Sequence, residues 1–120
     1  MPKVSKTPVL RLNDNLDFLK IVSKAKTPKR RREILRTATA EQLTSICDCI
    51  HNILYNREIS LTDKNKRLLR RHKGVLLVLA NKKLPKQTRC EILEQQGGFL
   101  PALLAPIIGI AGSLLSNLIR

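Results

Sequence analysis

Thr39-Ala40-Glu41-Gln42-Leu43-Thr44-Ser45-Ile46-Cys47-Asp48-Cys49-Ile50-His51-Asn52-Ile53-Leu54-Tyr55-Asn56 is the most regular stretch of the chain. Its apolar residues, Leu43, Ile46, Cys47, Ile50, Ile53 and Leu54, recur at steps of three and four and so share one face of an α-helix. Thr39 and Gln42 form a capping box at its start, in which the hydroxyl accepts from a backbone amide and the Gln side chain reaches back to the cap. The stretch predicts a core helix ending near Asn56. No alternating strand pattern and no internal repeat occurs elsewhere, so the expected fold is all-α. It is a small bundle of four to five helices, with a disordered basic N-terminus and an apolar C-terminal helical tail.

Upstream of this helix, residues 1–13 hold Pro2, Lys3, Lys6, Pro8 and Arg11 and bury little, which predicts a disordered basic arm. Met1-Pro2-Lys3-Val4-Ser5-Lys6 has no apolar run behind it and does not read as a signal peptide. A short helix follows Asn13 or Asp14 and runs to about Lys24, with Leu16, Leu19 and either Lys20 or Val22, together with Phe18 and Ile21, on its apolar face. Thr27 is a good N-cap and Pro28 suits the first helical position, so a second helix starts inside the basic run Lys29-Arg30-Arg31-Arg32. That run also has the composition of a nuclear localisation signal or a nucleic-acid patch.

Downstream, Ser60 or Thr62 can cap a helix whose first half is crowded with Lys64, Lys66, Arg67, Arg70, Arg71 and Lys73, with Leu68 and Leu69 its only strong apolar residues. Gly74 marks an expected kink before Val75-Leu76-Leu77-Val78-Leu79-Ala80. This run is apolar on every side and reads as helix, because no second strand exists to pair with it. Pro85 opens a last body helix with Cys90, Ile92 and Leu93 apolar, and Gly97 or Gly98 stands where a left-handed C-cap is expected.

The charge is large and unevenly placed. The 120 residues carry 23 Lys and Arg against nine Asp and Glu, a net charge of +14. Residues 1–39 contribute +8, 40–60 contribute −2, 61–90 contribute +9 and 91–120 contribute −1. Two basic blocks flank a nearly neutral segment, and so large an excess points to a polyanionic partner. With one Tyr, two Phe and no Trp, a stacking platform for single strands is not expected. No base-reading motif is present either, so the expected ligand is double-stranded DNA, bound non-specifically through Lys29, Arg30, Arg31, Arg32, Lys64, Lys66, Arg67, Arg70, Arg71 and Lys73. The acids form no general acid–base pair, and Cys47 or Cys49 with His51 on one helix does not build a nucleophile site, so no enzyme and no cofactor is expected. Three cysteines without framework spacing suggest a reducing compartment and no metal site.

From Gly97 to Ile119 there is no charge at all. The 23-residue run is long enough to span a bilayer, but Pro101, Pro106 and four glycines interrupt it, which makes it a poor spanner with helix expected from Ile107 onward. Ala105, Gly109, Gly112, Ser113, Ser116 and Asn117 share one face. Phe99, Leu103, Leu104, Ile107, Ile108, Leu114, Leu115 and Leu118 would contact a membrane, a capsid protein or a second copy of the chain, or else the tail packs into the body's own core. The expected organisation is thus a basic arm (1–13), a basic helical body (14–96) and a Gly-Gly hinge with an apolar tail (97–120). Phe99-Leu100-Pro101 with the Ile, Leu, Gly and Ser that follow is similar in composition to short membrane-lytic peptides such as temporins.

The segment Leu68-Leu69-Arg70-Arg71-His72-Lys73, together with Gly97-Gly98-Phe99-Leu100-Pro101-Ala102-Leu103-Leu104-Ala105-Pro106, resembles small basic proteins of Maverick/Polinton-type elements and adintoviruses. The likeness covers roughly residues 30–120. Those proteins have been compared with adenovirus core and minor capsid proteins. The resemblance implies a virion protein that condenses DNA and contacts membrane, found in the virion and the host nucleus. Without it, the composition suits a nuclear or membrane-associated protein, and the alternative function is a membrane-active or membrane-anchored protein whose basic body binds anionic lipid. The resemblance also implies that Gln95-Gln96-Gly97-Gly98 before Phe99 is a processing site for an adenovirus-type cysteine protease, although Gln replaces the commoner Leu, Ile or Met at its first position. Gly97 and Gly98 can equally be a helix cap and hinge.

Overall fold

The computed structural model describes residues 14–55, 59, 61–81 and 83–119, with side chains as far as Gly109. The N-terminal arm expected over residues 1–13 and the side chains of Leu114, Leu115 and Leu118 lie outside the described residues. Every regular element among the described residues is helical: α1 (Leu16–Ser23), α2 (Pro28–Arg36), α3 (Ala40–Tyr55), α4 (Asp63–Arg71), α5 (Lys73–Leu79), α6 (Lys86–Gln96), a 3₁₀ turn (Gly97–Phe99) and α7 (Leu100–Ile119). The all-α expectation is met, with the helix divided into more segments than the four to five expected.

The caps fall where the side-chain chemistry places them. Thr27 Oγ1 accepts from the Arg30 amide at 3.2 Å, with Pro28 at the first turn of α2. The capping box of α3 is closed in both directions, Gln42 N to Thr39 Oγ1 at 3.1 Å and Thr39 N to Gln42 Oε1 at 2.8 Å. Thr62 caps α4 through the Asn65 amide at 3.1 Å, while Ser60, the alternative cap, lies outside the described residues.

Helix α3 is the centre of the core and buries Leu43, Ile46, Cys47, Cys49, Ile50 and Ile53. Against it and α1 packs α7, while α2 packs on α6. Phe99, Leu100, Leu103, Leu104 and Ile107 are all buried in the common core with Phe18, Leu19 and Val22 of α1. The boundary expected at residue 97 therefore does not separate a self-sufficient body from a tail, because the first two turns of α7 are core.

Helix also begins earlier than expected, at Leu100 instead of Ile107, and runs through Pro106. A proline inside a helix removes one hydrogen bond and clashes with the preceding turn, costing ~3 kcal/mol or more. The four side chains Leu100, Leu103, Leu104 and Ile107, each at most 1% exposed, offset this with roughly 6–12 kcal/mol of apolar burial. Tertiary packing outweighs local propensity here, and no helix among the described residues is long and apolar enough to cross a membrane.

Gly97 and Gly98 form no left-handed cap. No described glycine has a positive φ, and Gly97 sits at φ −83° in the 3₁₀ turn. The α4–α5 break falls at His72 (φ −107°, ψ 16°) and not at Gly74, where the His72 ring packs on Phe99 with centroids 5.1 Å apart. Hydrogen bonds straddle the break, His72 N to Leu68 O at 3.0 Å and Leu76 N to His72 O at 2.9 Å, so the helical phase carries across it.

Candidate nucleic-acid interface

Helix α4 is short, strongly charged and one-sided. At 3.6 residues per turn, Lys64, Lys66, Arg67, Arg70 and Arg71 spread over an arc of roughly 160°, with Asn65, Leu68 and Leu69 opposite. Burial follows the wheel. Asn65 is buried, Leu68 and Leu69 are half-buried against the core, and the five cations, with Lys73 beyond the break, are exposed. Lys66 with Arg70 and Arg67 with Arg71 stand one turn apart, ~6 Å along the axis. Asp63, at the helix start, is the sole acid between residues 59 and 90.

The basic run on α2 is divided by its helix. Lys29, Arg30 and Arg32 are exposed, and Arg30 is paired with Glu33 of its own helix at 3.5 Å. Arg31 is not part of the exposed set expected to meet nucleic acid. Its residue is 7% exposed, and its Nη2 donates to the Glu94 carbonyl oxygen at the end of α6, at 3.3 Å. Burial, and then the neighbouring Arg32 charge, lowers its pKa, and its Nε has no hydrogen-bond partner. Arg31 joins α2 to the end of α6, beside the Arg36 Nε to Glu94 Oε1 pair at 3.2 Å.

The glycine pair is held from the same side. A Cβ on Gly97 would meet Arg31 Cδ at 3.1 Å, Arg31 Nε at 3.2 Å and Leu100 Cδ1 at 3.2 Å and would fit only if those side chains gave by a few tenths of an ångström, so glycine is favoured here by close approach and not by backbone freedom. Gly98 is exposed and open, but Gly97 and Phe99 on either side of it are buried. In the segment expected as a processing site, Gln95, Gln96 and Gly98 are thus at the surface, while Gly97 and Phe99, which flank Gly98 in the 3₁₀ turn, are held in the core. Of the tail residues expected to contact a membrane or partner, Phe99, Leu103, Leu104 and Ile107 are buried within the protein's own core, and Ile108 is half-buried against it.

The thiols are placed for packing. Burial raises Cys47 to about 11, against a smaller lowering by Arg89, and raises Cys49 well above the usual thiol range. This is the opposite of what activates a thiolate nucleophile. His51 lies against Tyr55, ring centroids 4.8 Å apart. Cys47, His51, Thr44, Asp48, Lys86 and Arg89 line a cleft of about 310 Å³ that holds charges of both signs, and Arg89 Nη1 donates to Thr44 Oγ1 across it at 2.9 Å. Among the described residues, no three His, Cys, Asp or Glu side chains gather to hold a metal ion.

One surface feature differs from what the composition of its own helix implies. Leu77 and Val78 of α5 are 43% and 46% exposed, although their run reads as apolar on every side. The signal for it was present, because Gly74, Leu77 and Val78 continue the helical phase of the α4 cations, while Leu76 and Leu79 continue that of Asn65, Leu68 and Leu69.

Comparison of the chain with protein-family models, curated proteins and solved structures finds no match.

Proposed function

We propose that this chain is a non-enzymatic structural protein that binds double-stranded DNA without sequence preference, using the exposed face of α4. The observation that carries the reading is the one-sided helix. Lys64, Lys66, Arg67, Arg70 and Arg71, followed by Lys73, face solvent on an element fixed to the core by Leu68 and Leu69. A rigid cationic face of this kind can lie along a phosphate backbone, release condensed counterions and read no base edge. Lys29, Arg30 and Arg32 add exposed charge from α2. The resemblance of the charge layout to small proteins of virus-like elements supports a virion role.

The apolar contact to membrane or capsid is proposed for the chain beyond Ile107, since the preceding turns of α7 are occupied in the core. Fluorescence anisotropy of unrelated duplexes titrated with salt tests the DNA reading. Six neutralised phosphates give a log–log slope of about −5, equal for each sequence. A slope near zero, or no binding at low salt, would refute it.

A further inference from the structure

Resting on the proposed polyanion-binding role of α4, we infer that α4 and α5 together form a second ligand surface, one that seats on an anionic membrane with α5 dipping into the bilayer interface. The apolar side of this surface is the exposed pair Leu77 and Val78. Val78 also lines a shallow groove of about 370 Å³ with Gly74, Val75, Ile92 and Gln96. Its charged side is the α4 face, which reaches it through Arg70, Arg71 and Lys73 on the same helical phase.

The occupant follows from the neighbours. Another copy of this chain would set a Lys/Arg face against an identical one, in a molecule whose net charge is already +14. Duplex DNA satisfies the cations but offers no apolar phase for two aliphatic side chains. An anionic bilayer offers both at the right relation, phosphate headgroups at the level of the cations and acyl chains beneath them. Because this surface shares the α4 cations with the DNA face, the two ligands exclude one another, and a molecule holding DNA is withdrawn from the membrane through this face.

The test uses the full chain and two probes, a short duplex and vesicles of phosphatidylcholine mixed with phosphatidylglycerol, with pure phosphatidylcholine vesicles as reference. The double variant Leu77→Asn with Val78→Asn should bind the anionic vesicles about tenfold more weakly, with duplex affinity unchanged. Unchanged vesicle affinity would assign any membrane contact to α7 and overturn the proposal.

The chain has no Trp, so Leu77→Trp is a direct reporter that also covers the case of a poorly folded double variant. Its emission should shift to the blue with anionic vesicles and return on adding duplex. No shift, or a shift that duplex leaves in place, overturns the shared-face proposal. Duplex affinity is measured separately throughout, so loss of the membrane inference and loss of the DNA reading are distinguishable.

Discussion

Ending the chain at Gly98, as cleavage at the glycine pair would, should unfold the protein instead of releasing a dispensable tail. The cut removes Phe99, Leu100, Leu103, Leu104 and Ile107, none more than 3% exposed. At ~1.5–3 kcal/mol for each buried side chain, the loss is roughly 8–15 kcal/mol, an upper estimate because a real unfolded chain is partly compact. Whole domains have only about 5–15 kcal/mol in total. The loss is therefore as large as the stability available, and the apolar faces of α1 and α3 would be left open. Far-UV circular dichroism and thermal melting of residues 1–98 against the full chain give the answer. The expected result is a strong loss of helix with no cooperative transition. Full helicity with a melting temperature within a few degrees of the intact chain would refute the assignment of α7 to the core.

The two glycines should respond in opposite directions. Gly97→Val places methyls against Arg31 and Leu100 and should destabilise by about 1–3 kcal/mol, whereas Gly98→Ala meets open space at a negative φ and should leave stability unchanged or raise it by about 0.4–1 kcal/mol, both read from denaturant midpoints. Arg31→Ala should lower stability by about 1–3 kcal/mol and barely move duplex affinity, while the adjacent Arg32→Ala should weaken duplex binding and leave melting alone. The Cys47 thiol is raised in the folded state, so above the ordinary thiol pKa the unfolded chain binds fewer protons than the native one. Stability should be full below about pH 9 and fall as the pH rises toward 11, and a Cys47→Ala variant should show a shallower loss over that window.

How much of this was legible in the sequence varies with how local the signal is. Thr27, Thr39 with Gln42, and Thr62 set the starts of α2, α3 and α4, because capping needs only residues within one turn. The period of α3 was equally plain. Helix α7 was not, because Pro101 and Pro106 argue locally against helix from Leu100 and only the faces presented by α1 and α3 reverse that balance. Arg31 could not be told from Arg30 and Arg32 by composition. Its different role depends on Glu94 and Gly97, more than 60 residues away in the chain. The α4 cation face was readable as residues but not as a surface, and the exposure of Leu77 and Val78 was legible only in the phase of the α4 cations carried through Gly74, since their own run is apolar on every side.

Packing α7 between α1 and α3 also fixes an order of events during folding. Residues 16–23 find their main partner only in residues 100–107, with nearly the whole described chain closed into the intervening loop. Contacts of such separation form late, since the entropy of closing the loop must be met before burial rewards it. Until α7 arrives, Phe18, Leu19 and Val22 and the facing side of α3 present an open apolar surface on a polycation. A chain in that state is prone both to self-association and to capture by nucleic acid, so the docking of α7 also terminates the period of greatest risk.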